Sequence, residues 1–218
     1  MFTGIIQAIG SLQTYENRGG DLRLTIHSGD LDLSDVALGD SIATNGICLT
    51  VIELTGNGFK ADVSRETLGL TTLHGIQAGS RVNLEKALTL NTRLGGHLVS
   101  GHVDGVGRVL ERRDDARSIR FTVEAPGELA RYIAHKGSIC VDGVSLTVNG
   151  VEGARFELNL VPHTLQETIM DAYRAGTEVN LEVDLIARYL ERLMLGDRAA
   201  DTSASGVTQA LLQERGFI

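Results

Sequence analysis

The chain has 218 residues, 42% of them hydrophobic and 22% charged, with a net charge of −8. That length suits one or two domains, each able to bury its own core, and the composition is that of an ordinary globular chain. The acidic balance and the lack of any Lys/Arg run exclude a nucleic-acid binder and disfavour anionic substrates, and no apolar run is long enough to span a bilayer.

The start, Met1-Phe2-Thr3-Gly4-Ile5-Ile6-Gln7, has no basic region followed by an apolar core, so a cytoplasmic location is expected. Apolar and polar residues then alternate over 21–27, and further strands are expected at 41–52, 58–63 and 80–86. The second half repeats this, with strands expected at 101–110, 118–123, 138–148, 154–160 and 177–183. Short helical inserts are expected around 67–73, 127–135 and 164–173. From Ile186 the spacing changes: Ile186, Tyr189, Leu190, Leu193 and Met194 form one helical apolar stripe, expected to pack against a partner subunit rather than back on its own domain. Residues 196–206 read as a linker. Residues 207–218 read as a last short helix or a docked tail, stopped by Gly216.

The two halves are copies. Asn45-Gly46-Ile47-Cys48-Leu49-Thr50 corresponds to Asp142-Gly143-Val144-Ser145-Leu146-Thr147 at an offset of 97, with no insertion needed anywhere. The same offset carries Gly4 onto Gly101, Thr67 onto Thr164 and Val82-Asn83-Leu84-Glu85 onto Val179-Asn180-Leu181-Glu182. Unrelated sequences agree at roughly one position in fifteen, so identities held in one register across a half-chain mean duplication. Short strands at this spacing favour a small barrel or sandwich in each half. The expected domains are 1–97, 98–185 and a terminal element 186–218.

Two copies of one fold suggest two similar ligands, and the differences between copies suggest where the chemistry sits. Across the repeat Ile5 becomes His102, Cys48 becomes Ser145, Asn45 becomes Asp142, Glu66 becomes His163 and Ala87 becomes Asp184. The second copy thereby gains an imidazole pair, carboxylates and a hydroxyl, the parts needed for proton transfer and addition to an electrophilic carbon. Each has a plainer reading: His102 a hydrogen-bonded structural residue, Cys48 a small buried hydrophobe, Thr50 and Thr147 strand formers, Asn45-Gly46 and Asp142-Gly143 tight hairpin turns, Asp184 a helix cap. Cys48 and Cys140 stand at non-equivalent positions of the repeat and are not expected to form a disulfide in a reducing compartment. No metal-ligand spacing, phosphate-cradling loop, nucleotide fingerprint or Gly-x-Ser-x-Gly elbow is present.

Four motifs together, Met1-Phe2-Thr3-Gly4-Ile5-Ile6, Asn45 to Thr50, Gly95-Gly96-His97-Leu98-Val99-Ser100-Gly101-His102-Val103-Asp104 and Asp142 to Thr147, resemble the riboflavin synthase family, over nearly the whole chain to the closing 211–218. The resemblance implies a mostly β protein of two tandem six-stranded Greek-key β-barrels plus a C-terminal α-helix that gathers three subunits. It implies that two molecules of 6,7-dimethyl-8-ribityllumazine exchange a four-carbon unit to give riboflavin and 5-amino-6-(ribitylamino)uracil, with no external cofactor, no metal and no nucleic-acid or membrane partner. Sites would lie between subunits, each holding two lumazines. Phe2, Gly4, Ile5, Ile6, Cys48, Leu49, Thr50, Asp62, Val63, Ser64, Arg65, Glu66 and Thr67 would surround one. Gly101, His102, Val103, Lys136, Ser145, Leu146, Thr147, Leu160, Val161, Pro162, His163, Thr164 and Leu165 would surround the other. By resemblance and side-chain type, His102 and Thr147 are assigned to proton transfer, Ser145 and Cys48 to nucleophile or water positioning, and Asp142 and Asp184 to orientation and charge balance. The alternative within this resemblance is a lumazine protein, a non-catalytic lumazine- or flavin-binding antenna.

Overall fold

A computed structural model describes residues 1–200 and Gln213; apart from Gln213, the expected tail lies outside the described residues. The first copy runs β1 (Ala8–Arg18), β2 (Asp21–His27), β3 (Ser41–Thr44), β4 (Ile47–Thr50), β5 (Glu53–Leu54), β6 (Gly58–Val63), α1 (Arg65–Leu70), a 3-10 turn over Thr72–Gly75 and β7 (Arg81–Lys86). The second runs β8 (Gly105–Asp115), β9 (Ser118–Glu124), a 3-10 turn over Gly127–Tyr132, β10 (Ser138–Val141), β11 (Val144–Glu152), β12 (Arg155–Leu160), α2 (Pro162–Gln166), a 3-10 turn over Ile169–Ala172 and β13 (Glu178–Val183). Helix α3 (Leu185–Leu195) follows, and a further 3-10 turn over Gly196–Ala200 stands where the linker was expected to start.

All strand pairs are antiparallel. The second copy closes into a six-stranded barrel in the order β10-β11-β12-β9-β8-β13. The first follows the same path, β4-β3-β7-β1-β2-β6-β5, with the counterpart of β11 broken into β4 and β5. At the break, Val51 N donates to Asp40 O (2.8 Å) and Ile52 N to Lys60 O (2.9 Å), which carries the chain round the barrel. The expected strands 41–52 and 138–148 are hairpins, turned at Asn45-Gly46 and Asp142-Gly143, where both residues of each turn have positive φ. That is the geometry whose twist matches paired strands. Strand β1 escaped the alternation pattern because residues 13–18 are exposed and polar around a bulge between Leu12 and Thr14. The expected strand 101–110 starts only at Gly105, for residues 98–104 have another task.

Each barrel has its own core: Leu24, Ile26, Phe59 and Leu84 in the first, Phe121, Phe156, Leu158 and Leu181 in the second. Strands β7 and β13 are buried on both faces. Since side chains alternate along a strand, Val82 and Leu84 enter one core and Val179 and Leu181 the other, which turns Asn83, Glu85, Asn180 and Glu182 toward the seam between barrels. A buried amide is costly unless its hydrogen bonds are made, and these are made reciprocally. Asn83 Nδ2 donates to Asp142 O and Asn180 Nδ2 to Asn45 O (both 2.9 Å), while Asn83 Oδ1 accepts from Ile169 N (2.9 Å) and Asn180 Oδ1 from Thr72 N (2.8 Å). The turn residues reply: Asn45 Oδ1 accepts from Asn83 N (2.8 Å) and Asp142 Oδ1 from Asn180 N (2.9 Å). The turns meet so closely that a Cβ on Gly46 would lie 2.7 Å from Gly143 N. The duplication seen in sequence is thus a pseudo-twofold axis in space.

Helix α3 starts at its cap Asp184, whose Oδ1 accepts from Ile186 N (3.0 Å). Its polar face binds the second barrel: Glu191 takes the Tyr132 hydroxyl and pairs with Arg131 (3.0 Å), and Arg188 pairs with Asp104. The apolar stripe faces away, with Ile186 60%, Tyr189 63%, Leu190 53% and Leu193 74% exposed.

Candidate functional site

The leading segment of each copy crosses the seam. Phe2 and Val99 form an antiparallel bridge, and from there the two segments diverge onto opposite barrels. Gly4 O accepts from Ser145 N (2.7 Å), and Ile6 packs against the second core. Symmetrically, Gly101 O accepts from Cys48 N (2.8 Å), and Val103 packs against the first core. The expected grouping is therefore exchanged: Gly4, Ile5 and Ile6 stand with Ser145 at the second barrel, and Gly101, His102 and Val103 stand with Cys48 at the first. The grouping implied by the resemblance kept each segment with its own copy, and nothing in the sequence signals the crossing.

At the second barrel, β11 presents Ser145, and the chain before the crossing presents His97. Ser145 Oγ lies 2.7 Å from His97 Nδ1. Burial pushes the His97 imidazolium below its ordinary range, and the charge of Asp184 works in the opposite direction. A neutral imidazole is thus held against a hydroxyl, and in the tautomer with the proton on Nε2 it accepts the Ser145 hydrogen bond and polarises the oxygen. Asp184 both caps α3 and lies close enough to His97 to favour the imidazolium that proton uptake creates. His97 stood inside a quoted motif, yet its partner lies 48 positions away. Its pairing with Ser145 had no signal in spacing.

At the first barrel, Cys48 occupies the position of Ser145 and is half-buried on β4, while Thr50 and Thr147 are exposed at corresponding strand positions. Asp62 is gripped by Arg23 through Nε–Oδ1 (2.7 Å) and Nη2–Oδ2 (2.8 Å), which holds its carboxyl below the usual range. Ser64 caps α1 through Thr67 N (3.2 Å), Arg65 Nη2 donates to Gly19 O (3.0 Å), and Glu66 is exposed beside them. In the second barrel Val63's counterpart Leu160 is likewise buried, Val161 precedes α2 without a side-chain cap, Pro162 opens it, and His163, Thr164 and Leu165 fill it. Leu49 is buried in the first core, and Leu146 packs against the second.

Three assigned residues stand apart. The Asp142 side chain is buried in the seam, bonded to the Tyr173 hydroxyl and Asn180 N, and makes no hydrogen bond to Ser145, His97 or His102. Burial pushes its carboxyl up to about 7. His102 is exposed and is fixed through its backbone, whose N–H donates to Glu182 (3.0 Å). Lys136 is exposed on the loop before β10, at φ 63, with its N–H on Val148 O (2.8 Å).

Sequence reasoning also passed over Glu85 and Glu182. Their carboxylates accept from Thr3 and Gly4, and from Ser100, Gly101 and His102, respectively. The signal was present: Val-Asn-Leu-Glu is identical in both copies, its polar and apolar residues alternating in strands where the polar positions are buried too. Among the described residues no cluster of His, Cys, Asp and Glu is placed to hold a metal ion, and no helix is long and apolar enough to cross a membrane.

The lumazine binding domain family matches the chain twice, over residues 3–87 and 100–184, which repeats the offset of 97. The riboflavin synthase of Photobacterium phosphoreum is 49% identical over 218 residues, and that of Bacillus subtilis (strain 168) is 42% identical over 217; each comparison covers 100% of both chains. Among solved structures, LumP complexed with riboflavin superposes with a TM-score of 0.77 at 25% identity, over 84% of this chain and 99% of that one. LumP complexed with 6,7-dimethyl-8-(1'-D-ribityl) lumazine gives 0.76 at 23% identity over the same shares, a likeness of fold. With its lumazine binding domain duplicated and full-length relatives at these identities, the chain belongs to the riboflavin synthase family.

Proposed function

We propose that the chain catalyses the dismutation of two 6,7-dimethyl-8-ribityllumazine molecules into riboflavin and 5-amino-6-(ribitylamino)uracil. The observation that carries this reading is a pair of equivalent strand positions with unlike chemistry: Ser145 hydrogen-bonded to His97, whose imidazolium is disfavoured by burial, at one, and Cys48 with no hydrogen-bonded imidazole at the other. Four-carbon transfer needs that asymmetry, because one lumazine must give up a proton from its acidic 7-methyl group while the other accepts a nucleophile and opens. Ser145, polarised by His97, suits addition of a hydroxyl or a positioned water, and Asp184 stabilises the imidazolium that results. His102 and Thr147 are assigned to the methyl proton, and Cys48 to positioning at the first pocket. Holding two rings in register contributes about 7–11 kcal/mol of the barrier, so much of the catalysis is orientation.

The exposed stripe of α3, held outward by a polar face bound to its own barrel, supports a homotrimer with sites shared between subunits. Both cysteines are free thiols, which suits the reducing cytoplasm as the place of reaction. The test is absorbance-followed turnover of the lumazine by the parent, Ser145→Ala, His97→Gln and His102→Gln. Riboflavin should form with the parent and slow by about 100-fold or more in Ser145→Ala and His97→Gln. Lumazine bound but unchanged by the parent would replace the synthase reading with an antenna.

A further inference from the structure

The crossing segments have to be held against the opposite barrel, and one carboxylate holds each. Glu85, on β7 of the first barrel, accepts from Thr3 N (2.7 Å) and Thr3 Oγ1 (2.6 Å) through Oε1, and from Gly4 N (3.0 Å) through Oε2. Glu182, on β13 of the second, accepts from Ser100 N (2.6 Å) and Ser100 Oγ (2.7 Å) through Oε1, and from Gly101 N (2.9 Å) and His102 N (3.0 Å) through Oε2. The two carboxylates are 3% and 4% exposed. Burying such groups costs free energy unless their lone pairs are filled, and burial does push both above the usual carboxylate range. Fixing a barrel strand alone requires no such group. What the carboxylates fix is a loop whose next contact lies on the other barrel: Gly4 on Ser145, Gly101 on Cys48.

We propose that Glu85 and Glu182 are positioning residues acting across the seam, Glu85 setting the pocket at Ser145 and Glu182 the pocket at Cys48. The proposal rests on the reading that these pockets hold lumazine. The fit leaves little slack, since a Cβ on Gly4 would lie 2.6 Å from Ser145 Cβ and one on Gly101 2.7 Å from Cys48 Cβ. Only a carboxylate serves at this point. A glutamine offers one acceptor oxygen, and its NH2 meets donors where the second oxygen accepted. The segment then shifts, and the pocket wall of the opposite barrel shifts with it.

Cys48 gives a readout of one pocket alone, because it is partly exposed whereas Cys140, 1% exposed, is shielded from a thiol reagent in the folded protein. The experiment titrates 6,7-dimethyl-8-ribityllumazine into the folded full-length Ser145→Ala protein, here taken as the parent, and into its Glu85→Gln and Glu182→Gln derivatives, so that binding is read before turnover, following stoichiometry by fluorescence and protection of Cys48 from alkylation. The parent should bind two lumazines per chain and protect Cys48. Glu182→Gln should need about tenfold more lumazine or above to protect Cys48, with the other equivalent bound as in the parent. Glu85→Gln should protect Cys48 at the parental concentration while its other equivalent weakens by a similar factor. Where a glutamine variant fails to fold, Ser100→Ala, which removes one hydrogen bond to the carboxylate, and Thr3→Ala, which removes one to the carboxylate and one from Ile5 N, should give the same crossed pattern at about threefold. Unchanged protection in Glu182→Gln, or equal weakening of both pockets in both variants, overturns the proposal while leaving the lumazine reading intact. A parent that binds no lumazine overturns the reading, and the proposal with it.

Discussion

Asp142 shows how one atom separates the two copies. Its counterpart Asn45 is neutral at every pH, whereas Asp142 is a fully buried carboxyl raised to about 7 from an ordinary 3.8, chiefly by desolvation. The folded state therefore holds its proton more tightly than the unfolded chain does, so this contribution to stability is complete below pH 3.8 and is lost as pH rises to about 7. Asp142→Asn should melt close to the parent at pH 4 and above it at pH 8, by on the order of 5 °C, with the gap opening between. The amide keeps both contacts, its oxygen accepting from Asn180 N and its NH2 donating to the Tyr173 hydroxyl. Melting curves of the two proteins at pH 4 to 8 check this, and parallel dependence would mean that the carboxyl titrates normally in the fold. The residue was legible in the sequence as a difference between copies, and its place was not. A substitution at a turn reads the same whether the side chain enters a pocket or a seam. Ser145 was likewise legible as a difference between copies, while its hydrogen bond to His97 required the fold to be seen.

At the scale of elements, α3 was readable from its spacing, because a 3.6-residue period survives without any knowledge of neighbours. Its polar anchors were not, since Tyr132 and Asp104 lie far away in sequence. Together they decide which face is free. If the exposed stripe joins three subunits, a double substitution Leu190→Asp/Leu193→Asp should leave the barrels folded, with an unchanged circular dichroism spectrum, and reduce the sedimenting mass from three chains to one. Riboflavin formation should fall by about 100-fold, the loss expected when the second ring is no longer held in register. A trimer that persists with the charges in place would put the subunit contact elsewhere. Strands with clean alternation, such as β2 and β6, could be bounded from sequence to the residue. Strand β1 could not, for its polar outer half carries no pattern, and residues 101–104 read as strand although β8 starts only at Gly105 and Gly101 turns at φ 80 to cross the seam.

The whole molecule is a pairing of near-identical barrels, which raises the question of why the first does not pair with another first. Asn83 and Asn180 do not distinguish the partners, since each makes the same bonds on either side of the axis. The rim does. Arg81 faces Asp171 (3.1 Å) and His74 faces Glu178 (3.8 Å), and these contacts exchange under the offset of 97, position 74 matching 171 and 81 matching 178. The first barrel thus supplies the basic group at both contacts and the second the acidic group. Two first barrels would set His74 against Arg81, and two second barrels Asp171 against Glu178. Arg81–Asp171 is a half-exposed ion pair, and His74–Glu178 adds to it only when His74 is protonated; such pairs contribute only about 0.2–1 kcal/mol each, so they select the partner while the buried seam supplies the docking energy. Asp171→Arg should therefore cost about 1 kcal/mol, seen as a lower melting temperature and faster proteolysis between the barrels at residues 88–97. Adding Arg81→Asp restores an opposite pair and should recover most of the loss, whereas Arg81→Asp alone should resemble Asp171→Arg. Single and double variants that add without recovery would mean that the rim charges act separately and that the seam alone distinguishes the partners.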